Sequence, residues 1–260
     1  MGLLGSMRIA SKVGRATFYH LTYQAVADPQ RSREFVRTLC NTIVDFDKGT
    51  DSHLPWIRLH LLCPGIESIE LSPKVSFPEG FELPMTEYLC LAGMVCYFKP
   101  KVVFEVGTYK GRTTRLFAEM TGPNTRIYTL DLPPKMMTMG GYFSEEKAEQ
   151  IGEEFSHSPY RSKITQFYGD SRSFDFSPFH RMADFVFVDG NHDYEFVRTD
   201  TEHALQMIKP GGTIVWDDCH PIFTPGVVRC LEELSVARRI RRIAGTRLAC
   251  YRAEESDVRI

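Results

Sequence analysis

Apolar positions along the chain fall into two regimes. Five runs are short, almost wholly apolar and rich in β-branched or aromatic residues: Val102–Val106, Arg126–Asp131, a run ending in Gln166–Ser171, Ala183–Val188 and Gly211–Asp218. Runs of this length bounded by turn formers predict parallel strands buried on both faces. Between them the apolar residues recur at helical spacing. Pro84–Phe98 repeats them at Leu89, Ala92, Val95 and Cys96, with Thr86 placed to cap the helix and Lys99-Pro100-Lys101 to stop it. Further helices are predicted over Arg112–Thr121, over the acidic stretch Glu145–Phe155 and over Pro225–Leu234, and 239–244 with 247–252 reads as a hairpin about Gly245-Thr246. The alternation predicts an α/β, Rossmann-like, doubly wound and mostly parallel sheet.

The first third of the chain is patterned differently. Phe35, Val36, Leu39, Ile43 and Val44 give Arg31–Asp45 an amphipathic helical spacing, while Lys48–Pro84 is rich in turn formers and holds one short strand at Ser68–Leu71. We therefore divide the chain into a mainly helical extension, residues 1–81, and a sheet domain, residues 82–260. A lid, a homodimer contact, packing on the sheet and a passive connector all remain open for the extension.

The first strand carries the most informative turn. Glu105-Val106-Gly107-Thr108-Tyr109-Lys110-Gly111 is an acid followed by two glycines four apart at a strand-to-helix junction. The glycines permit backbone angles and close approaches denied to other residues, and the next helix points unpaired N–H groups at whatever lies above the loop. A dinucleotide site needs G-x-G-x-x-G. The spacing here differs, and Glu105 would repel a pyrophosphate while attracting a cation.

The other strands end in polar chemistry as well. Asp131 stands about twenty residues past Gly111, where nucleotide folds place the acid that grips ribose hydroxyls. Asp170-Ser171 follows the third strand, Asp189-Gly190-Asn191-His192 the fourth and Asp217-Asp218 the fifth. Folding gathers Asp189, Asp217 and Asp218, and three like charges in one place need a proton, a base or a cation. A hard divalent ion, Mg²⁺, suits oxygen ligands and lowers the pKa of a bound hydroxyl. His192 has two readings: the base that takes a hydroxyl proton, or a residue that shapes the turn. His220 is a weaker candidate for base or ligand.

Composition works by exclusion. A net charge of −2 over 260 residues gives no reason to expect nucleic acid or an anionic membrane as partner. The arginines at 238, 239, 241 and 242 alternate with isoleucines and read as guards of an edge strand. No run approaches the roughly eighteen apolar residues of a membrane span. Arg8, Lys12 and Arg15 precede any acid, a bias transit peptides share, but no cleavage pattern follows and a basic arm is the simpler reading. Seven cysteines without a C-x-x-C pair indicate reduced thiols and a cytoplasmic setting.

Taken in order, these motifs resemble the class I S-adenosylmethionine-dependent methyltransferases, and the Val188-Asp189-Gly190-Asn191-His192-Asp193-Tyr194-Glu195 stretch is similar to the group with a V-D-G-x-H-x-Y-E motif. The resemblance spans Glu82–Ala253. It implies a seven-stranded sheet ending in an antiparallel strand, and S-adenosylmethionine as cofactor. Glu105, Gly107, Thr108, Gly111 and Thr113 would frame its methionine part, Asp131 and Leu132 the ribose, and Asp170 and Ser171 the adenine; Asp189 would meet its ammonium. Related metal-dependent O-methyltransferases bind their cation through an aspartate after strand four and an Asp-Asn pair after strand five. Asp218 matches that aspartate, and Cys219, a poor Mg²⁺ ligand, falls at the asparagine, so the third place comes from Asp217, as in related sugar O-methyltransferases with an Asp-Asp pair, or is left to water. His192 stands where the catechol-type enzymes carry a lysine base. The implied reaction is Mg²⁺-assisted O-methylation of a small hydroxylated molecule, a sugar, phenol or natural product. A metal-independent methyltransferase and a non-catalytic cofactor-binding protein are the alternatives.

Overall fold

The structure, a computed structural model, describes residues 52–71, 83–139 and 149–254. The predicted 31–45 helix, the basic arm and the start of the acidic 145–155 helix lie outside the described residues. The described strands, β1 (Trp56–Ile57), β2 (Val102–Val106), β3 (Arg126–Asp131), β4 (Ile164–Tyr168), β5 (Ala183–Val188), β6 (Ile208–Trp216), β7 (Arg241–Ile243) and β8 (Ala249–Arg252), form a single sheet. Its order is β1-β7-β8-β6-β5-β2-β3-β4. All neighbours run parallel except β8, which is antiparallel to both β6 and β7.

Burial on both faces follows from the two-residue repeat of the strands. On β2, Phe104 and Val106 enter one core with Val186, Val188 and Trp216. Val103 faces the other way, into a core with Ile127, Phe185 and Val215. The second core is closed by α2 (Met85–Phe98) and α3 (Arg112–Met120) through Leu91, Met94, Leu116 and Phe117. The first is closed by α6 (Tyr194–Met207) and α7 (Pro225–Ser235) through Val197, Ala204, Val228 and Leu231. Three short helices complete the described elements: α1 (Leu59–Leu62), α4 (Pro134–Met139) and α5 (Glu153–Ser156).

The winding reverses at β2. From it the chain runs outward to β3 and β4, then crosses back to β5 on the other side. A crevice opens beyond the carboxyl ends of strands that diverge in this way. Ladder bonds continue one residue past each tip, Gly107 N to Leu130 O at 2.9 Å, Asp189 N to Val106 O at 2.8 Å and Asp217 N to Val188 O at 3.0 Å, so the tips are held level.

Beneath the loop after β2, Glu105 is 1 % exposed. Its Oε2 accepts hydrogen bonds from the Thr114 hydroxyl and, at 2.8 Å, from Thr129, whose hydroxyl is 2.6 Å from that of Thr108. Burial pushes this carboxyl up to about 8 despite the two hydroxyl donors, so it carries its proton at neutral pH.

Several expectations need correction. Ser68–Leu71 forms no strand; Ile66–Ser68 is a 3₁₀ turn, and Trp56–Ile57 is the segment that joins the sheet. Part of the expected extension is thereby built into the sheet domain, adding an eighth strand to the anticipated seven. Pro84, not Thr86, is the N-cap of α2, with no side-chain cap. The third strand ends at Tyr168, leaving Gly169–Ser171 as loop, and α5 is the helix found within the described part of the acidic segment. The hairpin forms as predicted, with Arg242 opposite Ala249. Arg242, however, is 1 % exposed and stacks 4.0 Å from the Trp56 ring, so it is an interior cation rather than an edge guard.

Gly107 has φ +98°, and a Cβ there would lie 1.9 Å from the Asp189 carbonyl oxygen. Gly107→Ala is expected to cost roughly 3 kcal/mol and lower Tm by about 6–12 °C in thermal unfolding. For Glu105, a folded pKa of about 8 lies above the ordinary 4.5, so its contribution to stability is full below pH 4.5 and is lost as pH rises through 8. Glu105→Gln cannot ionise; urea titrations should show its stability rising relative to the parent by a few kcal/mol between about pH 5 and pH 8.

Candidate active site

The crevice beyond β2 and β5 is a cleft of about 940 Å³. One wall is the glycine loop. Asp131 at the tip of β3 organises it: Oδ2 accepts from the backbone N–H groups of Thr108 at 2.9 Å and Tyr109 at 2.7 Å, and Oδ1 from Leu132 at 2.7 Å. Burial raises this carboxyl above its usual range, opposed by those three N–H donors. Gly111, at φ +80°, begins α3 with no side-chain cap, which leaves the positive end of the helix for a ligand.

Gly107, Thr108, Gly111, Thr113, Asp131 and Leu132 all line the cleft, whereas Glu105 does not. The acid read as a ligand-facing group works from underneath, through Thr114 and Thr129. Asp170, Ser171 and Asp189 also line it. Asp170 is clamped by Arg172, whose Nε lies 3.0 Å and NH2 2.5 Å from it, and this hydrogen-bonded partner holds Asp170 below the ordinary carboxylate range. Arg172 in turn lies 4.4 Å from the centroid of the Phe196 ring.

Phe196 and Asp200, both on α6, were missed by sequence reasoning. Asp200 is 1 % exposed beside the cleft, and burial raises it to about 6, with the Ser171 hydroxyl opposing the shift. The signal was present. Val197, Asp200, Thr201 and Ala204 form the buried stripe of α6, and an aspartate within such a stripe is a polar group with a purpose.

The opposite wall holds the acids after β5 and β6. Asp189, His192 and Asp218 each offer one ligand atom within 4.8 Å of the others. His192 Nε2 lies 3.2 Å from Asp218 Oδ2 and 3.9 Å from Asp189 Oδ1. Burial works to lower the His192 pKa, but the two carboxylates outweigh it and the imidazole is raised above 6.5. Asp218 adopts φ +53°, a left-handed backbone that turns its side chain at the strand tip.

Asp217 is not part of this cluster. It is 5 % exposed in the cleft wall, and burial, with Glu87 and Asp218 nearby, pushes its carboxyl well above the ordinary value. His192 takes the third place that the sequence assigned to Asp217. Cys219 is fully buried with its thiol pushed up to about 12 by burial, and His220 Nδ1 accepts from the N–H groups of Ile222 at 3.2 Å and Phe223 at 3.3 Å. His220 therefore shapes its loop and does not face the reaction.

Two unpredicted residues change the metal question. Arg247 NH1 lies 2.5 Å from Asp218 Oδ1, and the same side chain grips Glu87, itself 2 % exposed on α2. The spacing of Asp189, His192 and Asp218 alone would admit a cation. As they stand, though, the residues do not fit Mg²⁺: a guanidinium holds one Asp218 oxygen, and an imidazole stands where a third hard oxygen is needed. Arg247 already supplies a counter-charge to Asp218.

A family described as a methyltransferase domain matches residues 104–219. No curated protein matches the chain in sequence. Among solved structures, the O-methyltransferase TomG from Streptomyces achromogenes, involved in tomaymycin synthesis and seen in complex with SAM, superposes with a TM-score of 0.51 at 17 % identity, over 66 % of this chain and 82 % of TomG. An O-methyltransferase from Bacillus cereus in complex with SAH gives a TM-score of 0.47 at 17 % identity, over 67 % of this chain and 84 % of that one. The matched residues 104–219 carry β2 to β6 with the glycine loop and the acids beyond it, and the sheet around them shares its fold with TomG.

Proposed function

We propose that the chain is an S-adenosylmethionine-dependent O-methyltransferase that acts on a small hydroxylated molecule. One observation carries the reading: the glycine loop and the Asp189–His192–Asp218 cluster face each other across a single cleft, so a nucleoside site and a proton acceptor share one space. The methyltransferase-domain match supports it, as does the fold shared with TomG. When bound, S-adenosylmethionine supplies a methyl group on a positively charged sulfur that departs as a neutral thioether.

The chain's own residues divide the remaining work. Gly107, Thr108, Gly111 and Thr113 would cradle the amino-acid part, Asp131 and Leu132 would hold the ribose, and Asp170 and Ser171 the base, with Phe196 as a flanking ring. Asp131 keeps the loop shaped while doing so, since its oxygens already hold three N–H groups. His192 would accept the hydroxyl proton of the acceptor at Nε2. The imidazolium that forms lies between Asp189 and Asp218, which stabilise it. Positioning and exclusion of water supply the rest. The metal-independent form is favoured by the Arg247–Asp218 contact.

Among the described residues no helix is long and apolar enough to cross a membrane, and Cys63, Cys90, Cys96, Cys219, Cys230 and Cys250 are free thiols. Free thiols accord with the cytoplasmic setting proposed here.

Calorimetry should detect S-adenosylmethionine binding with EDTA present, and a panel of phenols and sugars should yield thioether product under the same conditions; absence of binding would sink the proposal. His192→Ala is expected to lower kcat/KM by about 10²–10⁴ while cofactor affinity is kept. A resting imidazole raised above 6.5 must first lose its proton, so kcat/KM should climb with pH to a plateau with a midpoint above 6.5. Asp218→Asn removes a carboxylate that favours the imidazolium, and the midpoint in the pH–rate profile should move to lower pH.

A further inference from the structure

We propose that Arg247 is the built-in counter-cation of the acceptor wall: fastened to Glu87 on one edge and to Asp218 on the other, it positions Asp218 against His192 and bars a divalent cation from that carboxylate. The inference rests on the reading of this wall as the site of proton transfer, and it goes further by naming the group that sets the wall's charge.

Arg247 is held from several directions. It follows the Gly245-Thr246 turn, where the Thr246 hydroxyl donates to Ile243 O at 2.8 Å and accepts from Leu248 N at 3.0 Å. Its backbone N–H donates to Glu87 Oε1 at 2.6 Å, and its Nε and NH2 reach the two Glu87 oxygens at 3.2 Å each. Its carbonyl accepts from the N–H of Cys219 at 2.7 Å, the residue after Asp218. Main chain and side chain together therefore tie the hairpin to the tip of β6. The remaining corner of the fork, NH1, ends on Asp218 Oδ1 at 2.5 Å, and Asp218 Oδ2 faces His192 Nε2 at 3.2 Å. Glu87, Arg247, Asp218 and His192 form one line of alternating charge that runs from a buried helix to the open cleft.

A salt bridge that served only the fold would have no reason to end on the partner of the base. Arg247 lines the cleft and keeps 22 % of its side chain exposed, whereas Glu87 is sealed beneath it. A planar fork is the shape that can grip one carboxylate through two nitrogens and still reach a second, which lysine cannot copy. With the guanidinium in place, a divalent ion would have to displace it from Asp218 and then sit beside its charge. With it removed, Asp189 and Asp218 would be short of positive charge, the condition that attracts a cation.

The test is Mn²⁺ titration of the full chain followed by electron paramagnetic resonance, without any acceptor. The parent protein is expected to bind Mn²⁺ weakly. Arg247→Gln should gain one site per chain, at least about tenfold tighter, and the site should vanish in Asp218→Asn/Arg247→Gln. Arg247→Lys, which restores the charge, should exclude Mn²⁺ again. Because Arg247→Gln strands the buried Glu87 charge, Glu87→Gln/Arg247→Gln is the second variant, and it should show the same gain if the single variant does not fold. Thermal unfolding and S-adenosylmethionine affinity are measured alongside. A parent that binds Mn²⁺ through Asp218 as tightly as the glutamine variants overturns the proposal, as do folded variants that gain no site. Neither result bears on whether the cofactor binds, which the calorimetry reports separately.

Discussion

The backbone of Gly107 rests against the carbonyl of Asp189, and the arrangement of the cleft depends on that contact. β2 and β5 end side by side where the winding of the sheet reverses, and their tips meet with no side chain between them. The glycine loop turns one way from this point and the Asp189–His192 segment the other, so two kinds of chemistry arise from one seam. A Cβ at 107 would wedge the tips apart and leave two unrelated surfaces. The reversal of winding explains why a cleft exists; the bare glycine explains why its two walls are joined.

Around that seam the chain gathers more carboxylates than a buried space tolerates as free ions, and it settles each differently. Asp131 is satisfied by three backbone N–H groups, Glu105 by keeping its proton among threonine hydroxyls, and Asp170 by the Arg172 fork. Asp200 and Asp217 are driven by burial toward the neutral form, while Asp218 stays paired to Arg247. Each solution uses a group from a different element. The charges are consequently coupled to the fold, and α2 reaches the cleft wall that holds His192 through Glu87, Arg247 and Asp218.

Sequence reasoning recovered what is encoded locally. Strand runs, the glycine turn and acids at strand tips each follow from a few consecutive residues, and most of the candidates they supplied line the cleft, Glu105 and His220 excepted. It failed where the determinant is a partner far along the chain. Nothing near Arg247 announces Glu87, 160 residues away, and nothing near Arg242 announces Trp56. Counting arginines along β7 suggested a solvent-facing row because the covering segment was not visible. Asp217 and Asp218 were grouped because they are adjacent in sequence, yet both lie past the end of β6, where the left-handed backbone of Asp218 sets it apart from its neighbour. Both line the cleft, but Asp218 joins Asp189 and His192 while Asp217 stays buried in the wall. Alternation along β2, applied strictly, removes Glu105 from the cleft and places it among the threonines below.

The docking of Trp56–Ile57 onto β7 has a consequence for how this protein behaves at high concentration. A hairpin left at the margin of a sheet presents an open ladder onto which another chain can zip. Among the described residues that margin is taken by a strand two residues long, whose own Trp56 ring lies against Arg242 and which is followed by α1. So short a rim leaves few backbone groups open to pairing at that edge of the described sheet.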